Sequence, residues 1–177
     1  MKPETAPKVK LLSGILYSDA DCLETAFSLL EEKWGPIDYK SESFPFDITD
    51  YYVPEMGSPI YRMFVSFEKL ITPDQIAQIK LDSNAIEDQL AVDGLRKVNL
   101  DTGYLDYDKV VLASAKYNGQ KIYLEKGIWA DLTLHYIKKH FEPYPWSFPD
   151  FKSGLYDDVF LRIRELYKVG RKGDGGL

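Results

Sequence analysis

The sequence predicts an α+β protein with a mostly antiparallel sheet, whose C-terminal three-stranded meander packs against two or three helices. Three observations predict this class: a strand and helix unit at the start, a strongly capped helix after residue 72, and apolar side chains that alternate with a period of two between residues 95 and 136. The opening elements follow the order of a ferredoxin-like fold. Because 177 residues bury one core rather than two, we expect a single domain over residues 8–169, with flexible segments at 1–7 and 170–177.

The first strand and helix are predicted within residues 8–36. Residues 8–17, KVKLLSGILY, form the apolar run of a buried strand. Ser18 and Asp21 have capping-box spacing and predict a helix start, and Gly35-Pro36 predicts its end. Between them the apolar positions recur every three or four residues, at Leu23, Ala26, Phe27, Leu30 and Trp34.

A loop, a strand and a helix follow. Residues 37–44 are predicted as a short strand, and the Pro-interrupted FPFDITDYYVPEMGSP as a functional or packing loop without regular structure. The alternation after Ile60 predicts a strand. Thr72-Pro73-Asp74-Gln75 supplies an N-cap, a proline at the first helical position and a capping-box glutamine, so a helix begins there. We expect a break in it at Asp82-Ser83-Asn84.

Two turns divide the predicted meander. Asn118-Gly119 joins KVVLASAKY to QKIYLEK and is a residue pair that a type I′ hairpin turn prefers. A second turn near Lys126-Gly127 leads into IWADLTLHY. The prolines of FEPYPWSFPDF predict an extended segment that covers an apolar surface. A final amphipathic helix is predicted from the positions Tyr156, Val159, Phe160, Ile163 and Leu166.

Composition limits the location and the partners. The chain is 45% hydrophobic and 28% charged, with a formal net charge of -6, which is typical of a globular protein and argues against nucleic acid as a partner. No run of about 18 apolar residues predicts a membrane span, and the N-terminus does not resemble a signal peptide. A single cysteine, Cys22, leaves no intramolecular disulfide. Together these features predict a cytoplasmic protein.

Two short strings belong to well-known enzyme classes. Asp101-Thr102-Gly103 matches the loop of aspartic proteases, but that chemistry needs a second aspartate and the tripeptide occurs once, so a protease would have to be a homodimer. The alternative is a turn between strands, which we expect. Ser114-Ala115-Lys116 matches the guanine-contacting loop of GTPases. No Gly-x-x-x-x-Gly-Lys-Ser/Thr run or Asn-Lys-x-Asp accompanies it, and the predicted hairpin places it inside a strand. The sequence supports neither class.

The predicted hairpin register groups polar side chains on one face of the sheet. Lys116 faces Lys121 and Ser114 faces Tyr123, while the buried face holds Val111, Ala113, Ala115, Ile122 and Leu124. If the next strand adds its polar side chains, this face can bind an anionic small molecule; the alternative is an ordinary solvated sheet face. The candidate ligand-binding residues are Asp50, Tyr51, Asn99, Asp101, Lys109, Ser114, Lys116, Lys121, Tyr123 and Thr133, and Asp131 and His135 are candidate proton-exchanging catalytic residues.

Metal binding has weaker support in the sequence. Carboxylates suit Mg²⁺ held together with a phosphate, and two groups qualify: Asp47, Asp50 and Glu55, and Asp101, Asp106 and Asp108. Acidic loops without a metal are the commoner case. The two histidines, His135 and His140, are five positions apart, which fits neither a helix face nor a strand face, so a two-histidine metal site is not predicted.

Two functions remain open. The first is a protein that binds a small anionic ligand, such as a nucleotide or a phosphorylated metabolite, and requires the candidate residues to converge in one concave pocket. The second is a protein–protein interaction module without catalysis, suggested by an aromatic content of 14% and by Tyr51, Tyr52, Tyr144, Trp146 and Phe148. RNA binding by aromatic stacking lacks a recognisable signature.

A succession of motifs along nearly the whole chain resembles an uncharacterised prokaryotic family, recorded as a domain of unknown function and sometimes labelled automatically as GTP-binding. The motifs that carry the resemblance are LLSGILYSD, FPFDITDYY, FVSFEKLITP, VNLDTGYL, KVVLASAK, IYLEKGIWADLTL and PWSFPDF. The resemblance implies a soluble bacterial or archaeal protein of this size. It implies no activity and no catalytic residues, and the nucleotide motifs do not support the GTP-binding label.

Overall fold

The computed structural model describes residues 2–173, within which the chain forms nine strands and five helices. In chain order they are β1 (Val9–Tyr17), α1 (Ala20–Trp34), β2 (Ile37–Lys40), β3 (Phe44–Pro45), α2 (Val53–Met56), β4 (Tyr61–Ile71), α3 (Ile76–Gln89), β5 (Val98–Leu105), β6 (Lys109–Ser114), β7 (Ile122–Glu125), β8 (Ile128–Ile137), β9 (His140–Pro143), α4 (Pro149–Lys152) and α5 (Asp157–Gly173). The predicted α+β class is confirmed. No helix among residues 2–173 is long and apolar enough to cross a membrane.

The strands form one antiparallel sheet in the order β2-β4-β1-β5-β6-β8-β7, with β3 paired to β4 and β9 paired to β8. Strand β4 lies between β1 and β2, and α3 then leads to β5 on the other side of β1. This is the split β-α-β-β-α-β arrangement of a ferredoxin-like unit, so the expected beginning of the fold is present. Strands β6 to β9 extend the sheet beyond it.

Both faces of the sheet are covered. Helices α1 and α3 pack on one face, over alternate residues of the central strands such as Ile15, Met63 and Leu100. Helix α5 packs on the other face with Phe160 and neighbours. Residues 110–113 of β6 are consequently all buried. The alternative of an ordinary solvated sheet face therefore does not apply to residues 110–113.

The predicted Asn118-Gly119 hairpin is not formed. Strand β6 ends at Ser114 and pairs with β8, and β7 pairs only with the far edge of β8. The predicted second turn is the one that makes a hairpin, because Lys126 (φ 52) and Gly127 (φ 77) both adopt the positive φ that a type I′ turn needs. The three strands exist, but β8 is the middle one. Ile122 and Leu124, expected to be buried, are exposed on the edge strand.

Smaller differences concern local structure. Asp19, not Ser18, caps α1 and accepts a hydrogen bond from the Cys22 amide (2.8 Å). The capping box of Thr72 and Gln75 is present, and α3 runs on without the break expected at 82–84. The loop at 44–59 contains β3 and α2. The segment at 141–151 begins in the extended strand β9, as predicted, but it ends in the helix α4.

The predicted ends of the domain fall partly outside the described residues. Residues 2–7 form no helix or strand. Helix α5 continues to Gly173, four residues into the segment predicted as a flexible tail. Residue 1 and residues 174–177 lie outside the described part of the chain.

Candidate functional site

The sheet divides between β5 and β6. These strands pair only at Gly103, Tyr104 and Leu105 of β5. Gly103 allows the close approach, because a Cβ atom there would lie 2.2 Å from the Val111 carbonyl oxygen. From residue 102 back to residue 98, this edge of β5 has no partner strand in the described chain. A cleft of about 1090 Å³ opens at this division.

Two side chains of α3 replace the missing strand. Glu87 accepts a hydrogen bond from the Leu100 amide (2.7 Å), and Lys80 donates one to the Leu100 carbonyl (2.7 Å). Both side chains are buried and lie 3.8 Å from each other. Burial raises the pKa of the Glu87 carboxyl, with Lys80 acting against it. The backbone groups of Leu100 are thus satisfied without closing the cleft.

Arg96 ties the long loop to this edge. Its guanidinium donates two hydrogen bonds to Glu55 of α2 (2.6 and 2.7 Å), one to Glu87 (3.0 Å) and one to the Asn99 side chain (2.9 Å). The hydrogen bonds from Arg96 lower the pKa of Glu55. Bidentate pairing of this kind fixes geometry as well as charge, so α2 is held against the cleft.

The floor of the cleft is a buried arginine between two aspartates. Arg62 is 3% exposed and lies 2.7 Å from an oxygen of Asp101 and 3.2 Å from one of Asp150. Burial opposes ionisation of Asp101, but Arg62 and Lys80 outweigh it and lower its pKa. Burial raises the pKa of Asp150, and Asp101 adds to the effect. The two carboxyls therefore ionise over different pH ranges.

The opposite wall carries two lysines. Lys121 donates a hydrogen bond to Ser114 (2.8 Å) and lies 3.4 Å from Asp131. Lys116 donates to the Tyr51 hydroxyl (2.8 Å), which lowers the pKa of that phenol. Among the described residues Lys116 has no carboxylate within 4 Å. The other four cations among the described residues that line the cleft all have an ion pair.

Aromatic side chains also line the cleft, and two of them, Tyr51 and Phe148, are exposed at its mouth. Tyr51, Tyr52 and Phe46 come from the long loop, with ring centroids 4.9 Å apart for the first pair and 6.0 Å for Tyr52 and Phe46. Burial raises the pKa of Tyr52 to about 12, so it stays a neutral phenol. Phe148 comes from the segment before α4. Apolar and polar groups therefore line one cavity, as small-molecule sites require.

Seven of the twelve candidate residues line this cleft: Tyr51, Asn99, Asp101, Ser114, Lys116, Lys121 and Asp131. Five do not: Asp50, Lys109, Tyr123, Thr133 and His135. Lys109 pairs with Asp106 and Tyr123 packs on Trp129. Asp50 is exposed in the loop.

Asp131 and His135 do not share a face, contrary to the expectation from alternation. Leu132 and Leu134 pair with the adjacent residues Val111 and Val110, so Thr133 is an extra residue in β8. The bulge reverses the alternation, and Asp131 lies with Leu112 on the cleft side while His135 turns to the opposite face. His135 contacts Tyr144, with ring centroids 4.8 Å apart.

The floor and the replaced strand edge were missed by sequence reasoning. Five charged residues that were not among the candidates line the cleft: Arg62, Lys80, Glu87, Arg96 and Asp150. For two of them, the position in the sequence indicates a buried charge. Arg62 is the one basic residue within the apolar run from Ile60 to Phe67. Glu87 lies one turn after Ser83, on the buried side of α3. A charge in such a position is seldom buried without a partner.

The two tripeptides that match the protease and GTPase motifs do not lie where the sequence predicted. Asp101-Thr102-Gly103 lies within β5 and is not a turn. Ser114 ends β6, so Ala115 and Lys116 lie in the following loop and not inside a strand. The strand placement used against the GTPase interpretation was wrong, while the missing phosphate-cradle sequence still argues against it. The two carboxylate sets proposed for Mg²⁺ do not gather into a metal-binding group among residues 2–173.

Fold and site together define an α+β protein with a polar cleft at a division of its sheet. The chain belongs to the family described as domain of unknown function DUF4416, whose model matches residues 7–167. This agrees with the resemblance seen in the sequence motifs. No curated protein and no solved structure matches the chain.

Proposed function

We propose that the cleft binds a small anionic ligand, with its phosphate or equivalent group at Lys116 and Lys121. The observation that carries the proposal is the position of Lys116 on the cleft wall, without a carboxylate partner, next to Lys121, Ser114 and Tyr51. Hydrogen bonds from ammonium groups to a phosphate are charge-assisted and stronger than neutral ones. Two amines and two hydroxyls within one wall suit such a group.

The distribution of charge favours the lysine wall as the position of the anion. Five basic and six acidic side chains line the cleft. Arg62 and Arg96 are each shared by two carboxylates, and Lys80 serves Glu87 and a backbone carbonyl. An anion at the floor would meet Asp101 and Asp150 and be repelled. The lysine wall is the part of the cleft with spare positive charge.

Titration calorimetry and thermal unfolding of the full chain test the proposal, using inorganic pyrophosphate, ribose 5-phosphate and nucleoside monophosphates, with and without Mg²⁺. A ligand at one hundred times its Kd stabilises the folded state by about 2.7 kcal/mol. Lys116→Gln should weaken binding about tenfold or more, because a hydrogen bond to a charged group contributes about 1.5–3 kcal/mol. The matched control is Lys69→Gln, which removes an exposed lysine of β4 outside the cleft. No binding across the panel, or equal weakening by both variants, would contradict the proposal.

Protein–protein interaction is the second candidate function. Among the suggested aromatics, Tyr51, Trp146 and Phe148 are exposed, and Tyr52 and Tyr144 are half-buried. Tyr51, Tyr52 and Phe148 line the cleft, whereas Tyr144 stacks on Trp146 outside it, with centroids 5.0 Å apart. A partner recovered by pull-down whose binding is lost in Trp146→Ala, together with no response to the ligand panel, would favour this function.

A further inference from the structure

We infer that the ligand carries a planar nitrogen heterocycle as well as its anionic group, so that its class is a nucleotide rather than a ring-free phosphorylated metabolite. The inference rests on the proposed function of the same cleft. Three large apolar side chains at the mouth are solvent-exposed: Tyr51 (64%), Phe148 (55%) and Ile48 (46%). Single exposed apolar residues are ordinary, but all three of these line one cavity.

Two of these side chains are aromatic, and the ring of Tyr51 is held in place. Its centroid lies 4.9 Å from that of Tyr52 at an interplanar angle of 88°. Its hydroxyl receives the Lys116 hydrogen bond, and the Lys116 ammonium lies 5.1 Å from the ring centroid. An oriented aromatic face recognises a planar ring by stacking, which any nucleobase provides. Because Lys116 contacts Tyr51 and is also proposed to bind the anion, the base and the phosphate of one ligand would lie next to each other.

Uncommitted polar groups distinguish a heterocycle from a purely apolar ring. Asn84 and Asp88 lie one helical turn apart on α3 and line the cleft. Within residues 2–173 neither side chain has a hydrogen bond or ion pair to the protein. Covering them with hydrocarbon would cost free energy. Ring nitrogens and exocyclic amines offer the acceptors and donors that an amide and a carboxylate can use.

The size of the cleft agrees with a nucleotide. Small-molecule pockets commonly measure about 300–1000 Å³, and this cleft, at about 1090 Å³, is slightly larger than that range. A phosphate or a small sugar phosphate would leave most of it filled with water. A base at the mouth with its phosphate at the lysine wall would occupy both parts.

The test compares nucleoside monophosphates with ribose 5-phosphate by titration calorimetry on the full chain. At least one nucleotide should bind about tenfold or more tightly than ribose 5-phosphate, since stacking one base on an aromatic side chain gives an effect of this order. Phe148→Leu should lower the nucleotide affinity about tenfold and leave the ribose 5-phosphate affinity unchanged. Tyr123→Leu, which alters an equally exposed aromatic outside the cleft, should change neither.

The outcomes separate the two proposals. Equal affinities for ribose 5-phosphate and for every nucleotide would overturn the ring inference and leave the anion site standing. Nucleotide binding that depends on Lys116 but is unaffected by both Phe148→Leu and Tyr51→Leu would also overturn it. If pyrophosphate, ribose 5-phosphate and nucleotides all fail to bind, the proposed function itself fails. Unfolding midpoints of the variants establish that each is folded.

Discussion

Strand β5 is bonded to β1 along one edge over eight residue pairs, from Val98 to Leu105, and to β6 along the other edge over only three. On the first edge, backbone groups satisfy one another. On the second, Lys80 and Glu87 supply the hydrogen bonds to Leu100 that a strand would have supplied. The difference shows how a sheet keeps a cavity open: buried side chains satisfy the backbone without filling the space beside it.

The two edges also differ in what holds them together. The edge shared with β1 is flanked by apolar residues on both faces of the sheet. The cleft edge depends on buried ions, chiefly Arg62 and Glu87. Buried ion pairs add little net stability when intact, but losing one partner leaves an uncompensated charge and is strongly destabilising. Mutations at the cleft edge should therefore lower the free energy of unfolding strongly, even where they remove few packing contacts.

The largest expected effect is that of Arg62→Met. Met fills part of the volume but leaves Asp101 and Asp150 without their cation, so the free energy of unfolding should fall by about 3–5 kcal/mol. Urea unfolding followed by circular dichroism measures it. Arg162→Met is the control, because Arg162 is an exposed arginine of α5 and its loss should change stability by less than about 0.5 kcal/mol. Similar losses in both variants would mean that the floor does not depend on its arginine.

A smaller effect is expected at Glu87. Glu87→Leu leaves the buried Leu100 amide without an acceptor, whereas Glu87→Gln keeps one, so the Leu variant should be about 1–3 kcal/mol less stable than the Gln variant. Amide hydrogen exchange should show faster exchange at Leu100 in the Leu variant only. Thr102→Val offers a contrast, because the buried Thr102 hydroxyl has no partner and its removal should cost nothing. Equal protection of Leu100 in both Glu87 variants would refute the strand-replacement role.

The smallest expected effect is a pH dependence from Asp131. Burial raises the pKa of Asp131 above the ordinary aspartate value of about 3.9, against the influence of Lys121. Between those two pKa values the folded protein binds more protons than the unfolded chain, so this group makes the free energy of unfolding decrease as pH rises. Its penalty is absent below about pH 3.9 and complete above the folded pKa.

Asp131→Asn removes that titration. In urea unfolding experiments, the free energy of unfolding of the variant minus that of the parent protein should be larger at pH 7 than at pH 4. Asp47→Asn, at an exposed loop position, is the control. A stability difference that is the same at both pH values would show that Asp131 does not titrate between them.

The sequence predicted elements whose signals are local. The Thr72 to Gln75 capping box and the Lys126-Gly127 turn are both present, since each depends on a few neighbouring residues. It failed where two local signals competed: Asn118-Gly119 is a strong turn sequence, yet β7 pairs through the second turn, and the choice was made by β8 pairing with β6. Pairing between distant strands cannot be read from a single turn.

The predictions of site residues also succeeded where they depended on residues close in sequence, and failed where they depended on distant ones. Ser114, Lys116 and Lys121 reached the cleft because they lie close together near the end of β6, although the predicted register was wrong. Asp131 and His135 were assigned to one face by simple alternation, which a single bulge at Thr133 invalidated. Arg62 meets Asp150, 88 positions away, only in the folded protein. A charge network assembled across the sheet has no signature in any one segment.

The position of β1 at the middle of the sheet has a consequence for how the chain is made. Its partners β4 and β5 are synthesised later, and α5 follows later still. The Tyr167 hydroxyl of α5 donates a hydrogen bond to the Lys8 carbonyl (2.8 Å), next to the start of β1, and so joins the last helix to the first strand. Until those segments emerge, the nascent chain carries an unpaired strand edge and a bare apolar face. Association with other chains then competes with folding, and contacts so distant in sequence also make folding slow.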